Sequence, residues 1–188
     1  MNDVLDGLPP IERLAASYAP ASLRPLWLGY FALEQRLADA AREGRDTIMI
    51  QLRLAWWRDR LGESPDRWPK GEPLLALLQP WHTELPALVA LVDGREVLHA
   101  GEGTSSDLDE ARLGVMQALG RMSGAGHKDD ISVAAREWAG LTSPGRTAPR
   151  LPRAMRPLAV LRGLALRGDA GSPIGRFALA LRLGLLGR

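Results

Sequence analysis

Apolar positions recur at helical spacing along almost the whole chain, and the strict alternation a half-buried strand needs is hard to find. A short helix is predicted over 9–18, opened by Pro9 and Pro10. The run SLRPLWLGYFALEQRLADAAREG reads as a second helix, capped by Ser22 and stopped by Gly44. Its residues Leu26, Tyr30, Leu33 and Leu37 form one apolar stripe. A third helix is predicted over 46–61, ended by Gly62 and Pro65, and ESPDRWPKGE over 63–72 is a loop. Pro73 opens a short helix through Leu78. Thr83 caps TELPALVALVDGREVLHAGE, in which Leu85, Leu88 and Val92 line one face. After the loop GEGTSS, Ser106 starts a helix with Asp109 and Glu110 in its first turn. GAGH breaks that helix, and KDDISVAAREWAGL makes another. The proline-rich loop TSPGRTAPRLP leads into two last helical pieces, over 153–168 and 174–187. The expected fold class is all-α, as a single domain over 1–188 with no fixed-period repeat.

The third helix is unusual. Ile50, Leu54, Trp57 and Leu61 form one stripe, and Met49, Leu52 and Trp56 form a second beside it. Together they cover well over half the circumference, which predicts a central helix touched by neighbours on several sides. The adjacent tryptophans read as core. Arg53 precedes Trp57 by four residues, and Trp56 precedes Arg60 by four, so each pair has the spacing for a cation–π contact.

Composition is that of an ordinary globular chain, with 46% hydrophobic and 24% charged residues in 188. The absence of cysteine excludes disulfides and thiol chemistry, and fits a reducing compartment. The first twenty residues carry acids and no apolar run, so they do not read as a secretory signal. No stretch reaches the roughly 18 uncharged apolar residues of a membrane span. The expected location is cytoplasmic, with peripheral contact at the inner face of a membrane left open.

Charge is uneven. From Arg146 to Arg188 there are nine arginines and one acid, Asp169, so that basic C-terminal part (146–188) carries +8. The total is +2, which leaves the rest of the chain at about −6 by difference. Such an end suits an anionic partner, whether lipid head groups, a diphosphate or an acidic protein face. It also serves simply to solubilise a leucine-rich helix pair. Nucleic acid is not expected, because no nucleic-acid-binding signature accompanies the arginines and aromatics are few there. His82, His99 and His127 have no metal-ligand spacing, so no zinc site is expected.

The segment FALEQRLADAAREGRDTIMIQLRLAWWRDRL resembles the squalene/phytoene synthase family. In that family a helix with the first acidic motif precedes a helix of the form R-L-x-W-W-R-D/E-x-L. GEPLLALL and LPALVALVDGREVLHAGE are similar to the segments that follow, and RAMRPLAVLRGLALR resembles the closing segment of shorter members. The resemblance is specific over 26–100 and moderate over 151–168. It implies a helical bundle of the isoprenoid-synthase type, truncated relative to the full-length enzymes.

Active members hold magnesium between two acidic motifs on facing helices, which neutralises the leaving diphosphate. Here Gln35, Arg36 and Leu37 stand where the first paired aspartates belong. Glu34 and Asp39 are five apart and fall on different faces, whereas Asp39 and Glu43 have the spacing to share one. In the later half only HKDD is acidic, and Asp129 and Asp130 read more simply as residues complementing a helix dipole. Arg36 in such a place repels a metal ion and suits a phosphate. FALE is also similar to the F-N-x-E start of the non-catalytic branch, which includes the mitochondrial complex I assembly factor.

The resemblance therefore implies a non-catalytic relative that binds a protein partner, an isoprenoid lipid or diphosphate, or both, in an accessory or assembly role. The alternative is a head-to-head prenyltransferase acting on prenyl diphosphates. No catalytic residue, metal ligand or cofactor is expected, magnesium entering only with the alternative. The candidate pocket consists of Arg36, Arg53, Trp57, Arg58, Asp93 and Glu96. Asp93 lies where an aspartate of the enzymes sits near the active-site mouth. The plainer reading of VDGRE is a helix end, with a turn at Gly94 and surface ion pairs. Arg53 and Arg58 flank the tryptophan pair, placed either to meet a diphosphate or to bridge to Asp93.

Overall fold

The computed structural model describes residues 7–42, 44–168 and 173–186. Within them the chain is all-helical. The helices are α1 (Pro10–Ser17), α2 (Arg24–Ala40), α3 (Thr47–Gly62), α4 (Pro73–Leu78), α5 (Leu85–Ala100), α6 (Ser105–Met122), α7 (Lys128–Trp138), α8 (Arg156–Arg167) and α9 (Pro173–Leu186). Short 3-10 turns occupy Pro65–Arg67, Gln79–Trp81 and Arg153–Met155. None of these helices is long and apolar enough to cross a membrane.

From α5 onward each helix packs on the next, with α3 against α5 and α1 against α8. Helix α2 touches α1, α3, α4 and α5 and forms the centre. It buries nine residues, from Leu26 through Ala40, whereas α3 buries only Ile50, Leu54, Trp57 and Leu61. The expectation that α3 is central is thus corrected. Its first stripe is core, but its second, Met49, Leu52 and Trp56, lies on the outside together with Ile48.

Three buried tryptophans tie the layers through their indole N–H groups, as a buried Trp requires. Trp27 donates to the Ala154 carbonyl at 3.1 Å and Trp81 to that of Leu26 at 3.2 Å. Trp68 donates to the Arg60 carbonyl at 2.5 Å. The segment expected to be a plain loop over 63–72 therefore carries a core residue.

Most helix starts fall where proline or an acid puts them. Asp46 caps α3 by accepting from the Met49 N–H at 3.1 Å, and Glu72 caps α4 from Leu74 at 3.2 Å. Ser22 and Thr83 do not cap. The second helix begins at Arg24 with Pro25 in its first turn and ends at Ala40, short of Gly44, and α5 begins at Leu85 with Pro86 in its first turn. Helix α6 starts one residue before Ser106, because Asp107 reaches back to the Thr104 N–H at 2.7 Å.

The expected turn at Gly94 does not exist, since α5 runs through it to Gly101, which ends the helix at φ +71°. Gly94 has a different role. A Cβ there would stand 3.1 Å from the Leu108 Cα, so its absence lets α6 approach closely.

Candidate functional site

A surface cleft of about 450 Å3 lies between α2 and α3. Arg36, Asp39 and Ala40 line it from α2, Arg53, Trp56 and Trp57 from α3, with Arg45 and Glu72 at its rims. The two indoles meet edge to face, 4.9 Å between centroids at 88°. Trp57 is inside the core, and Trp56 is 39% exposed and walls the opening.

The cation over the Trp57 ring is Arg36, 6.0 Å from its centroid. It comes from the neighbouring helix, not from Arg53 as the spacing within α3 suggests. Arg60, expected against Trp56, is paired with Glu63 at 3.0 Å.

The carboxylates of the cleft are already occupied. Asp39 accepts from Arg42 at 2.5 Å and from Gln35 at 3.3 Å. Glu72 caps α4 and lies 3.8 Å from Arg36. Arg45 and Arg53 have no carboxylate partner among the described residues. The cleft therefore presents two uncommitted guanidinium groups beside an aromatic wall.

The six expected pocket residues do not form one site. Arg36, Arg53 and Trp57 line the cleft. Arg58, Asp93 and Glu96 form a separate ion-pair group between α3 and α5, with Arg58 at 2.7 Å from Glu96 and 3.7 Å from Asp93. The reason is angular: residues five apart are rotated by about 140° on a helix, so Arg53 and Arg58 leave the buried stripe on opposite sides. Of the two expectations for VDGRE, the ion pairs are present and the turn is not.

A polar seam lies inside the bundle on the other side of α2. Glu34 accepts from Arg95 of α5 at 3.0 Å and from Arg112 of α6 at 2.6 Å. Arg112 also holds Asp109 at 2.9 Å, and the Tyr30 hydroxyl lies 3.4 Å from Glu34. Glu34, Arg95, Arg112 and Tyr30, with Glu12 and Trp138, line a partly open pocket of about 160 Å3.

Burial, with the negative charge of Glu34 adding to it, raises the Glu12 carboxyl to about pH 7 against the pull of Arg112. The same two causes push Tyr30 well above its ordinary value. Burial opposes the charge on Arg112, yet its contact with Glu34 overrides this and raises its pKa. Glu12 and Arg112 had no sequence signal, because their role depends on partners on other helices.

The described carboxylates of α2, where the resemblance would place magnesium ligands, are engaged by cationic or amide side chains. Glu34 is closed by two guanidinium groups, and Asp39 is held by Arg42 and Gln35. Glu43, considered as a partner for Asp39, lies outside the described residues. Asp129 and Asp130 sit in the first turn of α7, as expected of dipole-complementing residues. Among the described residues no three His, Asp or Glu side chains converge as a metal site would need.

Fold and cleft together define an all-helical protein with a cationic, tryptophan-walled surface cleft. Comparison with family models, curated proteins and solved structures finds no match for the chain.

Proposed function

We propose that this chain is a non-catalytic helical binding protein, a divergent relative of the squalene/phytoene synthases, whose α2–α3 cleft takes an anionic amphiphile. An isoprenoid diphosphate is the form that the resemblance implies. The observation that carries this reading is the pair Arg45 and Arg53, free of carboxylates among the described residues, beside the Trp56 and Trp57 wall. A guanidinium fork matches a phosphate, and an indole face suits an allylic chain.

The exposed stripe Ile48, Leu52 and Trp56 continues from the cleft along α3 and offers the chain an apolar path. The same stripe supports a second reading, docking of a partner protein's apolar surface in an assembly or accessory role.

Calorimetric titration with farnesyl diphosphate, with and without magnesium, tests the proposal. The expected result is binding that does not need the metal. It should weaken at least tenfold in an Arg45→Glu/Arg53→Glu variant whose melting temperature is unchanged. Inorganic diphosphate should bind more weakly than the prenylated form. Binding and product formation that require magnesium would return the prenyltransferase alternative. No binding in either condition would end the ligand reading and leave the partner protein.

A further inference from the structure

The cleft does not use the C-terminal helices, where α9 packs on α8 and borders a groove with α1. Helix α9 turns Ala180 and Leu183 inward, and the Leu183 side chain packs at Gly163 of α8. Its outer side is apolar too. Phe177, Leu181 and Leu185 follow one another at i, i+4 and i+8 and are 58%, 42% and 56% exposed. Phe177 also borders a groove of about 470 Å3, with Ile11 and Leu14 of α1 and Leu164 of α8 on its other walls. A helix apolar on its outer face has an unfilled contact.

The charges that α8 and α9 themselves carry are of one sign. Neither α8 nor α9 contains an acid; Arg182 is exposed next to Leu181 of the stripe, and Arg167 is exposed at the end of α8. From Arg146 to Leu186 eight arginines stand against the single acid Asp169. A second copy meeting this face with its own would bring like charges together. An anionic bilayer satisfies both features. Its head groups attract the arginines, and its acyl boundary takes phenylalanine and leucine. Over its described residues α9 is not long and apolar enough to cross a bilayer, and its apolar outer face suits a helix lying in the interface.

We propose that the outer face of α9, centred on Phe177, Leu181 and Leu185, docks the protein on anionic membranes. This stands apart from the cleft, since the residues are different.

Flotation of the full chain with vesicles tests it, comparing phosphatidylcholine alone with phosphatidylcholine containing one-third phosphatidylglycerol. The protein should float with the anionic vesicles only, and raised salt should reduce the bound fraction. Phe177→Ser/Leu181→Ser and, separately, Arg182→Glu should each lower partitioning at least fivefold. All three residues are exposed, so circular dichroism melts should match the parent. The Arg45→Glu/Arg53→Glu cleft variant should float as the parent does.

Three results would overturn the proposal. The protein fails to float with anionic vesicles, Phe177→Ser/Leu181→Ser floats undiminished, or the cleft variant alone abolishes flotation. Absence of flotation joined to a concentration-dependent dimer that Phe177→Ser/Leu181→Ser dissolves would assign the face to self-association instead.

Discussion

Arg112 of α6 donates to Glu34 of α2 across 2.6 Å, and this one bond joins two helices whose residues lie 78 apart in the chain. Glu34 sits directly before Gln35 and Arg36, in the stretch where the resemblance places a metal-binding motif. Its oxygens face guanidinium groups instead.

Removing that carboxylate leaves two cations in a partly closed site. Glu34→Gln should therefore destabilise the fold by about 2–4 kcal/mol in urea unfolding. Adding Arg112→Met should cost less than the sum of the two single changes, with a coupling of about 1–2 kcal/mol. Strict additivity would mean that the bond contributes nothing beyond its surroundings.

Glu12 makes stability depend on pH in the direction opposite to most carboxylates. Its folded value of about 7 lies above the ordinary 4.5, so between these values the folded chain holds a proton that the unfolded chain has lost. Stability should fall as pH rises from about 4.5 to about 7, and the loss is complete above that. Glu12→Gln removes the effect. At pH 8 the variant should be more stable by about 1–2 kcal/mol, a figure reduced for partial exposure, and at pH 4 it should match the parent. Thermal melts across pH read this directly.

Two glycines in helix interiors should respond with opposite signs. Gly94→Ala forces a methyl to 3.1 Å from the Leu108 backbone and should cost about 1–3 kcal/mol. Gly114→Ala in α6 meets nothing within 4 Å and should gain about 0.5–1 kcal/mol from helix propensity. Equal effects in a melting experiment would contradict the close approach of α5 and α6.

The two apolar stripes of α3 separate by truncation. Leu54→Ala removes a fully buried side chain and should cost about 2–5 kcal/mol. Leu52→Ser, at a residue 59% exposed, should stay within about 0.5 kcal/mol. Denaturant midpoints for the pair distinguish an outward from an inward second stripe.

The helices were largely legible because their signals are local. The stripe Leu26, Tyr30, Leu33 and Leu37 and the stripe Leu85, Leu88 and Val92 are both buried as their spacing predicts. The short helix Pro73–Leu78 has the predicted ends. Errors collected at caps, where proline at the first turn outweighed a nearby Ser or Thr, and at Gly94, where packing against α6 carried a helix through a residue that reads as a turn. Half of the candidate pocket came together, since Arg36, Arg53 and Trp57 share the cleft while Arg58, Asp93 and Glu96 bridge α3 to α5.

By itself the sequence determined the all-helical character, the order of the helices and which residues share a face, because the helical repeat and the backbone restrictions of proline and glycine act within a few residues. It also determined the cationic end of the chain, which is a matter of counting. Only the tertiary structure decided which of two apolar stripes on α3 is core, that α2 rather than α3 is central, and that Arg36 covers Trp57 while Arg95 and Arg112 close Glu34. Periodicity states which residues share a face, but what that face meets depends on how distant helices pack, and no local repeat encodes that.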